Sequence, residues 1–188
     1  MDIAELISRF LPLNEVDKQL VNKHIPLKSF VKGDLVLKPT DPVNASFFVL
    51  QGCVRRFYLH KGVEHTTHFY TEEQAIGLPA QSLTSSPFYL ECLEPSTLAI
   101  LRHESEKILY AQLPALESIC RVTAEEDLLA QQTNHASLLS SSAEERYLSL
   151  QRERPELIQR VAQRHIASYL GIQPESLSRI RKRMTQSK

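Results

Sequence analysis

Between Gln163 and Arg183 the chain reads QRHIASYLGIQPESLSRIRKR, and few backbones satisfy that run. Ile166, Ala167 and Leu170 fall on one face of a helix over Gln163–Leu170. Gly171 then supplies the left-handed or strained backbone that a sharp turn needs. Gln173-Pro174-Glu175 opens a second helix. Proline fits a first helical turn, where its missing N–H costs nothing, and a glutamate suits the positive end of the helix dipole. Leu177 and Ile180 face back onto the first helix, Ala167 is small where the two must cross closely, and Ile172 plugs the turn. The other face of the second helix carries Ser176, Arg179, Arg181, Lys182 and Arg183. A short, polar, basic outer face is what a helix lying in a major groove needs. The plainer alternative is a helical hairpin with a solvated basic face.

The charge distribution favours the first reading. Net charge is zero over 188 residues, but from Arg146 onward ten Lys/Arg stand against three Asp/Glu, a net of +7, which leaves −7 on residues 1–145. A basic end on an acidic body suits a polyanion at that end only. Cys53, Cys92 and Cys120 are odd in number and far apart, as expected of free thiols in a reducing cytoplasm. The N-terminal MDIAELISRF lacks the apolar run of a secretory signal, and no stretch approaches the roughly 20 apolar residues of a membrane span.

Taken in order, the chain begins helical. Ile3, Leu6, Ile7 and Phe10 recur at helical spacing, Leu11-Pro12-Leu13 breaks the pattern, and Asn14 is placed to cap a second helix bearing Val16, Leu20 and Val21. From about Ile25 the period becomes two. Phe30–Leu37 reads as strand, turn, strand; Phe47–Leu50 as a buried strand; Cys53–His60 and Val63–Tyr70 as a hairpin turning at Lys61-Gly62; Leu98–Leu101 as a last strand. Of only five glycines, Gly33, Gly52, Gly62 and Gly77 fall at predicted strand ends, so a small β-barrel or roll is expected. After His103 the pattern is helical again. Glu104–Leu113 forms one helix and Pro114 opens a long one, with Leu116, Ile119, Val122, Glu126, Leu129 and Thr133 near one face. Leu138–Ser142 reads as a hinge, a serine there caps a helix over Ala143–Glu153, and Pro155 ends it.

The phrase Ile166-Ala167-Ser168-Tyr169-Leu170-Gly171-Ile172, followed by Glu175-Ser176-Leu177-Ser178-Arg179, resembles the C-terminal helix-turn-helix of the Crp/Fnr family of bacterial transcription factors. Lys32-Gly33-Asp34 and Phe48–Arg55 look like the first turns of that family's β-roll. The resemblance implies an α+β fold: an N-terminal cyclic-nucleotide-binding-domain-like β-roll with flanking helices, a long dimerisation helix at about 114–137, and a helix-turn-helix domain. The division is expected at residues 1–138 and 139–188. The function implied is a dimeric, cytoplasmic regulator that binds two-fold symmetric double-stranded DNA, with RNA polymerase as a further partner, no membrane, no cofactor and no enzymatic activity.

Carried over residue by residue, Glu175 and Arg179 match the family's base-reading positions, and Ser176 is a phosphate or base contact. Lys182 and Arg183, late on the helix, suit the DNA backbone. Pro174 stands where the best-known members have an arginine that reads a guanine, so one bidentate contact is missing. The chain ends five residues past Arg183, so a strand pair after the recognition helix is not expected. Dimerisation is assigned to Ile119, Val122 and Leu129.

The family's phosphate-binding cassette would fall on Gly77-Leu78 through Ser86-Pro87-Phe88-Tyr89, making Gly77, Leu78, Phe88 and Tyr89 the candidate ligand residues. Leu78 replaces the glutamate that binds the ribose, and Phe88 the arginine that pairs with the cyclic phosphate. No Lys or Arg occurs between Lys61 and Arg102, so a buried phosphate would lack its compensating charge. The effector is therefore left open, with a cyclic-nucleotide-responsive regulator of the same fold as the alternative. An alternative of another class is a cupin-like metal-binding enzyme with a helical appendage, drawing on His60, His65 and His68. His65 and His68 are three apart, so on a strand they point to opposite faces, and no metal site is assigned.

Overall fold

The computed structural model describes residues 2–78 and 85–186. The elements in order are α1 (Ile3–Ile7), α2 (Glu15–His24), β1 (Leu27–Phe30), β2 (Leu35–Leu37), β3 (Ala45–Gln51), β4 (Val54–His60), β5 (Val63–Tyr70), β6 (Ala75–Ile76), β7 (Tyr89–Cys92), β8 (Ser96–Arg102), α3 (His103–Gln112), α4 (Pro114–Ser140), α5 (Ala143–Glu153), α6 (Pro155–Arg160), α7 (Gln163–Tyr169) and α8 (Pro174–Gln186). They gather into two compact units, Met1–Arg55 with Phe69–Leu129, and Arg56–His68 with Ala130–Lys188. The change of unit within α4 falls after Leu129, earlier than the expected 138/139 division, and the tip of the β4–β5 hairpin groups with the C-terminal helices.

In the first unit, two short helices precede the sheets. Asp2 and Asn14 each close a capping box at the start of α1 and α2, satisfying backbone N–H groups that a short helix leaves bare. Val21 is fully buried, but Val16, expected beside it, is exposed, and Phe10 lies beyond the end of α1 and is exposed too. The strands form two four-stranded sheets among the described residues, ordered β1-β8-β3-β6 and β2-β7-β4-β5. Strands β1 and β2 flank Gly33, which has φ +90°, yet they lie in different sheets: the turn passes the chain across the roll. Strand β8 lies between β1 and β3, with Leu27 opposite Ala99 and Phe47 opposite Ile100. Strands β6 and β7, not expected from the sequence, are short and lean on β3 and β2 for their pairing.

The two sheets share one apolar core that includes Phe30, Leu37, Phe47, Val49, Val54, Tyr70, Ile76, Leu90 and Leu98. A second core, including Ile3, Leu6, Val21, Ile25, Leu109 and Leu116, gathers α1, α2, α3 and the start of α4. An ion pair lies inside the roll: Arg55 is buried on β4 and grips Glu91 of β7 through Nε at 2.6 Å and Nη2 at 2.5 Å. A buried guanidinium without its carboxylate would be strongly unfavourable, so this pair ties two neighbouring strands.

Helix α4 runs without interruption to Ser140, and the break at Ser141 falls inside the expected hinge at Leu138–Ser142. Ser142 caps α5 in a capping box with Glu145, as its sequence suggests. Pro155 not only ends that helix but stands at the first position of α6, a further helix that the sequence reading did not include.

Candidate nucleic-acid interface

Helices α7 and α8 are packed as the residue pattern requires. Ala167 is fully buried, Ile166, Leu170, Leu177 and Ile180 are buried with it, and Ile172 is half-buried at the turn. Gly171 sits at φ +68°, a left-handed conformation that an L side chain resists. The amide of Ile172 donates to the carbonyl of Ala167 at 3.0 Å, and that of Gly171 to Ser168 at 3.1 Å. That pair of bonds is a Schellman ending, which satisfies the last carbonyls of α7 as the chain reverses. Pro174 begins α8, and the carbonyl of Gln173 accepts from Ser176 and Leu177 to close the first turn.

Two side chains that the sequence did not single out lock this turn. Arg146 of α5 donates from Nε (3.2 Å) and Nη2 (2.7 Å) to the carbonyl of Leu170, and from Nη1 to the carbonyl of Ser141. It thus binds the end of α7 and the α4–α5 connection with one planar fork. Glu144, at the start of α5, holds the Arg183 guanidinium at 2.6 Å. Neither partner is near its mate in sequence, so helical spacing offers no signal for either contact.

Of the residues expected at DNA, Glu175, Arg179, Lys182 and Arg183 are exposed on α8 and Ser176 is half-buried. Arg179 Nη2 lies 3.4 Å from Ser176 Oγ. The structure therefore brings these five residues onto one helix with its apolar side turned inward.

The candidate ligand residues behave differently. Leu78 and Phe88 are each about 6% exposed and belong to the core shared by the two sheets. Phe88 is fixed by Ser86, whose hydroxyl donates to the Phe88 carbonyl at 2.7 Å and accepts from its amide at 3.2 Å. Gly77 is exposed and Tyr89 half-buried. Residues 79–84 of the stretch lie outside the described residues. At the two positions where ribose and phosphate anchors would stand, apolar side chains fill the roll instead.

The histidines of the hairpin do not converge. His65 is exposed and its ring centroid lies 6.5 Å from that of His60, whereas His68 is buried on the opposite side of β5. Burial, then the positive charges of Arg56 and Arg154, hold His68 down to about 3, so it is neutral at physiological pH. Burial pushes the Cys92 thiol up to about 11, which removes the thiolate a nucleophile needs. No helix among the described residues is long and apolar enough to cross a membrane.

Residues 27–112 match the family of cyclic nucleotide-binding domains. Residues 27–112 thus resemble a roll of the cyclic-nucleotide-binding type, and α7 and α8 pack about a tight turn in the manner of a helix-turn-helix. Over most of the chain the fold is similar to that of solved structures of Crp/Fnr-type regulators. The c-di-GMP responsive global regulator CLP of Xanthomonas campestris superposes with a TM-score of 0.75 at 17% identity, covering 93% of each chain. FixK2 of Bradyrhizobium japonicum gives 0.72 at 18% identity over 87% of this chain and 85% of its own. A Eubacterium rectale protein described as a Crp/Fnr-family regulator gives 0.73 at 17% identity over 95% and 88%. No curated protein matched in sequence.

Proposed function

We propose that the chain is a dimeric DNA-binding transcription regulator of Crp/Fnr type, acting in the cytoplasm without a cofactor or a catalytic step. The observation that carries this is α8: its apolar side is buried on α7, and Glu175, Arg179, Lys182 and Arg183 stand exposed along the rest. Arg179 lies one turn after Glu175, so both reach base edges from one side of the helix. Ser176 serves a phosphate or base, and Lys182 and Arg183 serve the DNA backbone. The Arg183–Glu144 pair is exposed at 61% and 44% of its side chains, the kind of surface pair worth about 0–1 kcal/mol, so a phosphate competes for the arginine at little cost.

The dimer is assigned to α4. Ala115, Val122, Leu129 and Ala136 recur every seven residues and all are exposed, Val122 at 45% and Leu129 at 63%. A seven-residue apolar repeat on an uncovered helix face suits a parallel two-helix seam with a second copy. Ile119 is half-buried toward its own chain, so Val122 and Leu129 carry the assignment. Two-fold symmetric DNA and RNA polymerase complete the partners. The roll acts as a sensor or partner module; with Leu78 and Phe88 in its core, its effector is not a cyclic nucleotide held by a ribose and phosphate anchor at those positions.

Selection of sites from a random DNA pool tests the reading. Wild type should recover a two-fold symmetric motif, and affinity should fall with salt as condensed counterions are released. Arg179→Ala should cost about 1–3 kcal/mol on that motif and far less on random DNA. Recovery of the same motif with the same relative affinities by both proteins refutes the assignment of Arg179.

A further inference from the structure

The tip of the β4–β5 hairpin, Arg56–His68, groups with the C-terminal helices, and one side chain of α7 accounts for part of that. Among the described residues strand β5 is the last in its sheet, with no strand paired along its outer edge. On that strand the Ser168 hydroxyl donates to the carbonyl of Glu64 at 2.9 Å and accepts from the amide of Thr66 at 2.9 Å. A residue of a parallel neighbouring strand would make the same two bonds, one given and one taken, to residues two apart. Thr66 is buried at this contact and Ser168 half-buried. The inner ends of the same two strands, Val54 and Tyr70, are anchored in the core of the roll.

We propose that Ser168 is a positioning residue that pins the β4–β5 hairpin to the first helix of the helix-turn-helix, so that displacement of the hairpin displaces α7. This rests on the DNA-reading function proposed above. In this proposal the pinned arrangement is the reading one, and in it Glu175, Arg179, Lys182 and Arg183 stay exposed on α8. With the pin removed, the two helices must be ordered at the moment of binding, and DNA affinity falls.

The test uses the full chain with Ser168→Ala and, as the conservative variant, Ser168→Thr, which keeps the hydroxyl. Hydrogen exchange at the Thr66 amide and affinity for the selected DNA site are measured together. Loss of a hydrogen bond of ordinary net strength should speed exchange at Thr66 about tenfold in Ser168→Ala. Site affinity should weaken at least about threefold, and Ser168→Thr should stay near wild type in both. Unchanged exchange at Thr66 overturns the pin. Faster exchange with unchanged affinity overturns its role in DNA reading, and tighter binding by Ser168→Ala shows that the pin holds a resting arrangement, which also refutes the proposal. Equal behaviour of the Ala and Thr variants, both unlike wild type, assigns the effect to packing and not to the hydroxyl. Failure of the wild type to select any site defeats the DNA-reading proposal and this one with it, and is distinguished by the absence of a motif before any variant is made.

Discussion

Replacing Arg146 should loosen the helix-turn-helix from behind. Its guanidinium gives two bonds to the Leu170 carbonyl, at 3.2 and 2.7 Å, and a third to the carbonyl of Ser141. Leu170 is buried, so Arg146→Leu would leave a helix-end carbonyl short of its donor. Hydrogen bonds from charged groups are worth about 1.5–3 kcal/mol each, and two carbonyls are served, one by a shared pair. Discounted for the part of the side chain that water reaches, the expected loss is about 2–4 kcal/mol in Arg146→Leu. Arg146→Lys keeps the charge but loses the fork, and should cost about 1–2 kcal/mol. The chain has no tryptophan, so urea unfolding is best followed by far-UV circular dichroism, with the slope of the transition reported beside its midpoint. Arg146→Leu within about 0.5 kcal/mol of wild type at unchanged slope would show that water replaces the guanidinium freely, and the account of the turn would be refuted.

Other expectations concern the roll, the dimer and pH. Gly52→Ala should prevent the roll from folding normally, because the new Cβ would clash with the Ser96 Oγ and lie 2.7 Å from the Ser96 backbone at φ +103°, whereas Gly171→Ala meets Leu138 Cδ2 at 3.4 Å and Arg146 Nη2 at 4.0 Å and should cost about 1–2 kcal/mol for its left-handed backbone; thermal unfolding of the two variants checks the contrast. His68 is held to about 3 from 6.5, so below pH 6.5 the unfolded chain binds a proton that the folded one refuses. Stability from this group is full above pH 6.5 and falls as pH drops toward 3, by about 2 kcal/mol at pH 5, and His68→Gln should flatten that part of the curve. Cyclic AMP should leave the melting temperature unchanged; a rise of several degrees, on the order of 1 kcal/mol or more of binding, would show a site that Leu78 and Phe88 do not fill. Leu129→Glu should weaken the proposed dimer in light scattering, since it would place a charge in the apolar seam assigned to α4, and an unaltered mass would refute that assignment.

Much of the α7–α8 pair was legible because its signals are local. The left-handed turn at Gly171, the proline opening α8 and the buried Ala167, Leu177 and Ile180 all lie in one short stretch of chain. The hairpin at Lys61-Gly62 was legible for the same reason: both residues have positive φ, at 49° and 78°, in a two-residue turn. The faces of α4 were less so. An amphipathic helix has one apolar face toward its own domain and here a second toward solvent, and periodicity alone merged them, placing Leu116 and Ile119 beside Val122 and Leu129.

What only the tertiary structure decided depends on contacts between distant residues. Strands β6 and β7 have two and four residues, too few for a period, and exist because β3 and β2 offer them partners. Arg55 reads as an alternating surface residue of a hairpin until Glu91 is brought against it. Arg146, Glu144 and Ser168 look like ordinary polar positions of amphipathic helices; their partners lie 24, 39 and about 100 residues away. Local sequence determines which backbone conformations are affordable, while the partner of a polar group is set by which surfaces the packed helices and strands bring together.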